Sequence, residues 1–135
     1  MANKINTLIG SGISIKGDIF YQGVVHLEAS VEGSLVSDKK QESKLYINKS
    51  STIKGYVDAS NVAIDGTVNG NVYAYELLQL GSNAFVKGNI YYKSIEMDVG
   101  AKIDGMLVVC ESKEELDLRK IDIESKGNST TIKDN

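Results

Sequence analysis

The chain of 135 residues has no proline, no tryptophan, two phenylalanines, one cysteine and one histidine. Each shortage excludes something. Proline would delete a donor from a hydrogen-bonded ladder, so its absence suits strands paired on both edges. The scarcity of large rings suits a narrow interior. A single cysteine, Cys110, permits no intramolecular disulfide and fits a reducing compartment. It follows Val108-Val109 at the end of an alternating run, which reads as a packing or edge position, with no basic neighbour to activate the thiol. The lone histidine, His26, removes any histidine-built zinc site, and its place between Val25 and Leu27 points it outward.

Charge and hydropathy exclude more. Fifteen cations, of which Arg119 is the one arginine, face eighteen acids for a net charge of −3, so there is no basic footprint for nucleic acid. No strand, glycine-rich loop, Lys-Ser/Thr and helix occur in sequence, so no nucleotide, small-molecule substrate or other cofactor is expected. Acids such as Asp58, Asp65, Asp98 and Asp104 are scattered along the pattern and read as solvated surface. No run of eighteen apolar residues exists, and residues 1–12 lack the long apolar stretch and cleavage site of a secretory signal, so a cytoplasmic location is expected.

What the chain has is a phrase, apolar-x-Gly-x-apolar, six times over: Ile15 to Ile19, Val31 to Leu35, Ile53 to Val57, Val68 to Val72, Val86 to Ile90 and Ile103 to Leu107. The phrase glycines are 16, 22, 15, 18 and 17 residues apart, a period that marks a stacked solenoid. A second alternating pair, Val25-x-Leu27, Leu45-x-Ile47, Val62-x-Ile64, Leu78-x-Leu80 or Ile95-x-Met97, follows each of the first five phrases and reads as a strand. Ser50-Ser51, Asp65-Gly66, Gly81-Ser82-Asn83 and Gly100-Ala101 supply the turns. One repeat is thus one coil of short strands, stacked on its neighbours at ~4.8 Å with its aliphatics inward. The residues before the phrase glycines, Lys16, Glu32, Lys54, Asn69, Lys87 and Asp104, should line one outward column with no like charges adjacent.

Residues 1–12 read as a lead, 13–109 as the solenoid of about six coils, and 110–135 as a charged, mostly disordered tail, in which Leu116-x-Leu118 and Ile121-x-Ile123 alternate like one more strand. The polar stretch 37–43 is a surface loop that lengthens the second interval. A left-handed hexapeptide-repeat helix of the acyltransferase type is the alternative solenoid. It needs anchors every six residues and a catalytic or zinc-binding histidine set, where the chain offers a four-residue step and His26 alone. A solenoid adaptor that binds partners on its tyrosines is the other alternative, since Tyr21, Tyr46, Tyr56, Tyr73, Tyr75, Tyr91 and Tyr92 supply either stacking between coils or lateral contact area.

The repeated phrase and its second strand, preceded by Thr7-Leu8-Ile9-Gly10-Ser11-Gly12 and Ile13-x-Ile15-x-Gly17, resemble the bactofilins over nearly all of residues 7–109. The resemblance implies an all-β fold, a single-stranded right-handed parallel β-helix. It also implies a bacterial cytoskeletal protein, not an enzyme, that polymerises end to end without nucleotide into non-polar filaments, in some cases with a paralogue. Such proteins commonly lie on the inner face of the cell membrane through a short N-terminal segment and organise cell shape or motility structures. On this chain the docking surfaces are then Ile13, Ile15 and Ile19 at one end and Ile103, Leu107 and Val109 at the other, because both ends expose unpaired strand edges. The membrane contact is expected from Lys4, Ile5, Leu8 and Ile9, a weak patch made effective by many copies along a filament.

Overall fold

The structure, a computed structural model, describes residues 6–129. Alternation makes short strands and the polar residues between them make corners, three to a coil. The first coil is β1 (Asn6–Ile9), β2 (Ser14–Lys16) and β3 (Ile19–Tyr21), and the second β4 (Gly23–Leu27), β5 (Ser30–Glu32) and β6 (Leu35–Ser37). β7 (Ser43–Ile47) and β8 (Thr52–Lys54) open the third. From there β9 (Val57–Ile64), β10 (Thr67–Asn69), β11 (Val72–Leu80), β12 (Phe85–Lys87) and β13 (Ile90–Met97) follow, the odd-numbered members each rounding a corner to serve two successive coils. β14 (Lys102–Asp104) and β15 (Leu107–Val109) finish the sixth coil, and a helix α1 (Lys113–Ser129) follows.

Every strand pairing among the described residues is parallel, and one flank is the unbroken six-strand order β14-β12-β10-β8-β5-β2. The register along this flank stacks Lys16, Glu32, Lys54, Asn69, Lys87 and Asp104 in one column, as the sequence predicts. Their inward neighbours form ladders. Val31, Ile53, Val68 and Val86 are no more than 1% exposed between Ile15 and Ile103, and Leu35, Val57, Val72 and Ile90 are wholly buried between Ile19 and Leu107.

Stacked backbones explain the phrase glycine. A Cβ on Gly70 would collide with the carbonyl oxygen of Gly55 one coil earlier, at a φ of 155° that side chains rarely adopt. After Gly17, Gly70 and Gly88 the next residue serves the same stacking through hydrogen bonds. Asp18 Oδ1 accepts the Ser34 N–H (2.9 Å), Asn71 Oδ1 the Asn89 N–H (2.9 Å) and Asn89 Oδ1 the Met106 N–H (3.0 Å).

Two boundaries differ from the sequence reading. β1 lies inside the presumed lead and pairs in register with β4, Ile9 opposite Leu27, so the first coil starts before Ile13. The presumed disordered or strand-like tail is helical from Lys113 to Ser129. Ser112-x-x-Glu115 is the reason. The Ser112 hydroxyl accepts the Glu115 N–H (3.1 Å), the Glu115 carboxylate turns back to accept the Glu111 N–H (2.9 Å), and Glu114 and Glu115 place negative charge on the first turn.

Candidate assembly surfaces

A β-strand at the end of a stack has a partner on one side only. At the N-terminal end β1, β2 and β3 pair with β4, β5 and β6 and, among the described residues, with nothing beyond. At the C-terminal end β14, β15 and the segment Ser94–Met97 of β13 are in the same position. Each end therefore offers three rows of backbone donors and acceptors around an unfinished layer of core.

The predicted docking residues fall into these two layers. Ile15 and Ile19 pack on the core from below, with Ile13 49% exposed beside them; Ile103 packs on it from above, with Leu107 and Val109 45% and 51% exposed. The sequence reading omitted Ile9 and Tyr21 from the first layer and Ile95, Met97 and Ala101 from the second. Their signal was present, since Ile95-x-Met97 is the last of the alternating pairs. Tyr21 also reaches outward, donating its hydroxyl to the Asp58 carbonyl oxygen (2.8 Å), and burial together with the Asp58 charge raises its pKa above the ordinary tyrosine value.

Among the described residues of the helix, none packs on either layer. Its side chains meet one flank instead: Leu116 is buried with Tyr73, Tyr75, Tyr91 and Cys110, Asp117 accepts the Tyr75 hydroxyl (2.7 Å), and Lys113 donates to the Lys39 carbonyl (2.8 Å). The tyrosines beneath stack between coils, Tyr73 on Tyr91 at 5.3 Å and edge-on to Tyr56 at 5.8 Å. Burial, and after it the bond to Asp117, raises the Tyr75 pKa. Burial and Glu115 likewise push the Cys110 thiol up, the opposite of what a reactive cysteine needs.

Asp58 is the correction here. Read as solvated, it is wholly buried under this flank. Its Oδ1 accepts the Ser37 N–H and hydroxyl (both 2.8 Å) and the Lys39 ammonium (2.9 Å), while Lys120 of the helix stands 3.2 Å from Oδ2. The loop 38–42 and α1 are thereby tied to one carboxylate.

The proposed membrane patch separates. Lys4 and Ile5 lie outside the described residues, Leu8 points outward at 65% exposure, and Ile9 turns inward against the core, because neighbours on a strand face opposite sides. Among the described residues no helix is long and apolar enough to cross a membrane, and no three His, Cys, Asp or Glu side chains stand close enough to hold a metal ion. His26 lies flat on Tyr46, ring centroids 4.5 Å apart. The groove of about 280 Å³ beside Tyr46 is floored by Ala63 and edged by Asp65, Gln79 and Glu96, a surface furrow between coils.

Comparison with known proteins agrees with this architecture. Residues 7–108 match the family model described as "Bactofilin: Polymer-forming cytoskeletal". The chain is 30% identical over 100 residues to Bactofilin BacO of Myxococcus xanthus (strain DK1622), an alignment covering 74% of this chain and 76% of that protein. No solved structure matches it significantly. A solenoid open at both ends, matched over its whole stack, places the chain in the bactofilins, a family of polymer-forming cytoskeletal proteins.

Proposed function

We propose that this chain assembles end to end through both terminal coils into nucleotide-independent filaments that organise cell shape or motility structures. One observation supports the reading: among the described residues both ends leave strand edges and core unfinished, and the helix that follows the last coil lies on the flank. Docking continues the backbone ladder and covers Leu107, Val109 and Ile13 together, each aliphatic contributing roughly 1 kcal/mol for the half of its surface that is removed from water. Like ends meet like, which makes the filament non-polar, as the resemblance implies. A second bactofilin with similar terminal layers would enter the same polymer.

Membrane association is part of the proposal. Leu8 faces outward from β1, and Lys4 and Ile5 precede it in the sequence, so each subunit supplies one cation and two aliphatics for a lipid surface. One copy binds weakly and a filament of copies binds firmly. Negative-stain microscopy of the purified chain, freed of nucleotide and in chelator, tests the assembly reading. Filaments are expected in that buffer; filaments that form only when ATP or GTP is returned would overturn it.

A further inference from the structure

The ammonium group of Lys120 sits in a built enclosure. It is 3.2 Å from Asp58 Oδ2, 4.8 Å from the centroid of the Tyr56 ring and 5.7 Å from that of Tyr73. The two rings stand at 86° to each other, two walls of a corner with the carboxylate beside them. Aromatic faces attract a cation through their quadrupole, and a carboxylate supplies the counter-charge. Everything that forms the corner belongs to the solenoid. Tyr73 is backed by Tyr91, and Asp58 is fixed by the Ser37 N–H and hydroxyl and by Lys39 on Oδ1. Oδ2 is fully buried and receives no hydrogen bond, and the Lys120 ammonium is the cation that stands against it, as Lys39 stands against Oδ1.

The occupant belongs to a different kind of element. Helix α1 divides its apolar residues between two sides: Leu116 is buried against the tyrosines and Ile123 packs beside it, while Leu118 and Ile121 are 69% and 65% exposed. With two apolar residues on the flank and two facing away, polar anchors add to what holds the helix there. Lys120 is one of these, at 16% side-chain exposure.

We infer that the corner formed by Tyr56, Asp58 and Tyr73 is a binding site for a primary alkylammonium, the head group of a lysine side chain, and that α1 is a tethered ligand occupying it through Lys120. The site exists in the solenoid before the helix arrives, so it accepts the same group delivered on a different backbone. Proximity gives the tethered lysine its advantage. When α1 lifts, the filament's flank presents a lysine receptor beside a stack of tyrosines.

The test is chemical rescue in the full-length chain, read by hydrogen–deuterium exchange over residues 113–123. Lys120→Ala leaves the buried Oδ2 without its cation, so exchange in α1 should quicken roughly tenfold or more, the equivalent of about 1.4 kcal/mol. n-Butylammonium chloride should slow it again toward the wild-type rate, whereas butan-1-ol and sodium chloride at equal concentration should not. Adding Asp58→Asn to Lys120→Ala should abolish the rescue. Unchanged exchange in Lys120→Ala, rescue no better with butylammonium than with sodium chloride, or rescue that survives Asp58→Asn would each overturn the assignment. Should Lys120→Ala lose the β-sheet circular dichroism signal, the wild-type chain carries the comparison by competition: butylammonium should quicken exchange over residues 113–123 where sodium chloride does not, and equal effects would overturn the assignment.

Discussion

Leu107→Arg puts a charge where only assembly would bury it. In the single chain Leu107 is 45% exposed at the free edge of β15, so a guanidinium there reaches water and the monomer keeps its fold. In a junction between two C-terminal ends, two such groups would enter one desolvated layer with no acid to pair them. An uncompensated buried charge costs several kcal/mol, and at ~4 kcal/mol association weakens about a thousandfold. The same ladder supplies the control. Val72 lies two coils earlier in register with Ile90 and Leu107 and is wholly buried, so Val72→Arg should unfold the chain. Sedimentation velocity with circular dichroism reads both. If like ends meet, Leu107→Arg yields folded dimers joined through Ile13, Ile15 and Ile19, because the N-terminal junction is untouched. Folded monomers would mean that every junction contains a C-terminal end, as in a head-to-tail filament, and would refute the non-polar arrangement. Full-length filaments would refute docking at this end altogether, and an unfolded product would show that Leu107 is not at a free edge.

Three further outcomes follow from other parts of the molecule. Gly70→Ala forces a methyl group onto the Gly55 carbonyl at an unfavourable φ and should cost roughly 2–4 kcal/mol, a drop in Tm on the order of 10 °C, whereas Gly10→Ala, with nothing within 4 Å, should leave Tm unchanged in calorimetry. Tyr75 has its pKa raised in the folded state, so the stabilisation is fully present below the ordinary tyrosine value near 10 and is lost as pH rises beyond it; helical circular dichroism should fall above that pH, and less steeply in Tyr75→Phe. Leu8→Ser removes an outward apolar residue worth about 1–2 kcal/mol per subunit at a lipid surface, so co-sedimentation with anionic vesicles should drop severalfold while filament yield stays the same; equal recovery would place the membrane contact elsewhere.

What could be read from the sequence divides along a physical line. The solenoid repeats its environment every coil, so a rule satisfied once is satisfied six times, and the column from Lys16 to Asp104 could be placed before any coordinates. The terminal layers were partly legible for the same reason, and Ile9 was missed because a strand that starts the stack has no earlier copy to be compared with. The flank obeys no repeat. Asp58 stands in register with Tyr73, and the Ser37 donors, Lys39 from an inserted loop and Lys120 from the helix together make a carboxylate tolerable there. The tail misled for a different reason: Leu116-x-Leu118 and Ile121-x-Ile123 alternate, but Leu116, Lys120 and Ile123 are spaced four and three apart, which is the helical face that meets the flank. The two periods coexist in one segment, and Ser112-x-x-Glu115 decides between them by satisfying donors at a helix start. That local choice has a consequence at the scale of the assembly. A seventh strand in the tail would have covered Ile103, Leu107 and Val109 and moved the open edge one coil further on; a helix on the flank leaves those residues as the end of the stack, available to another chain.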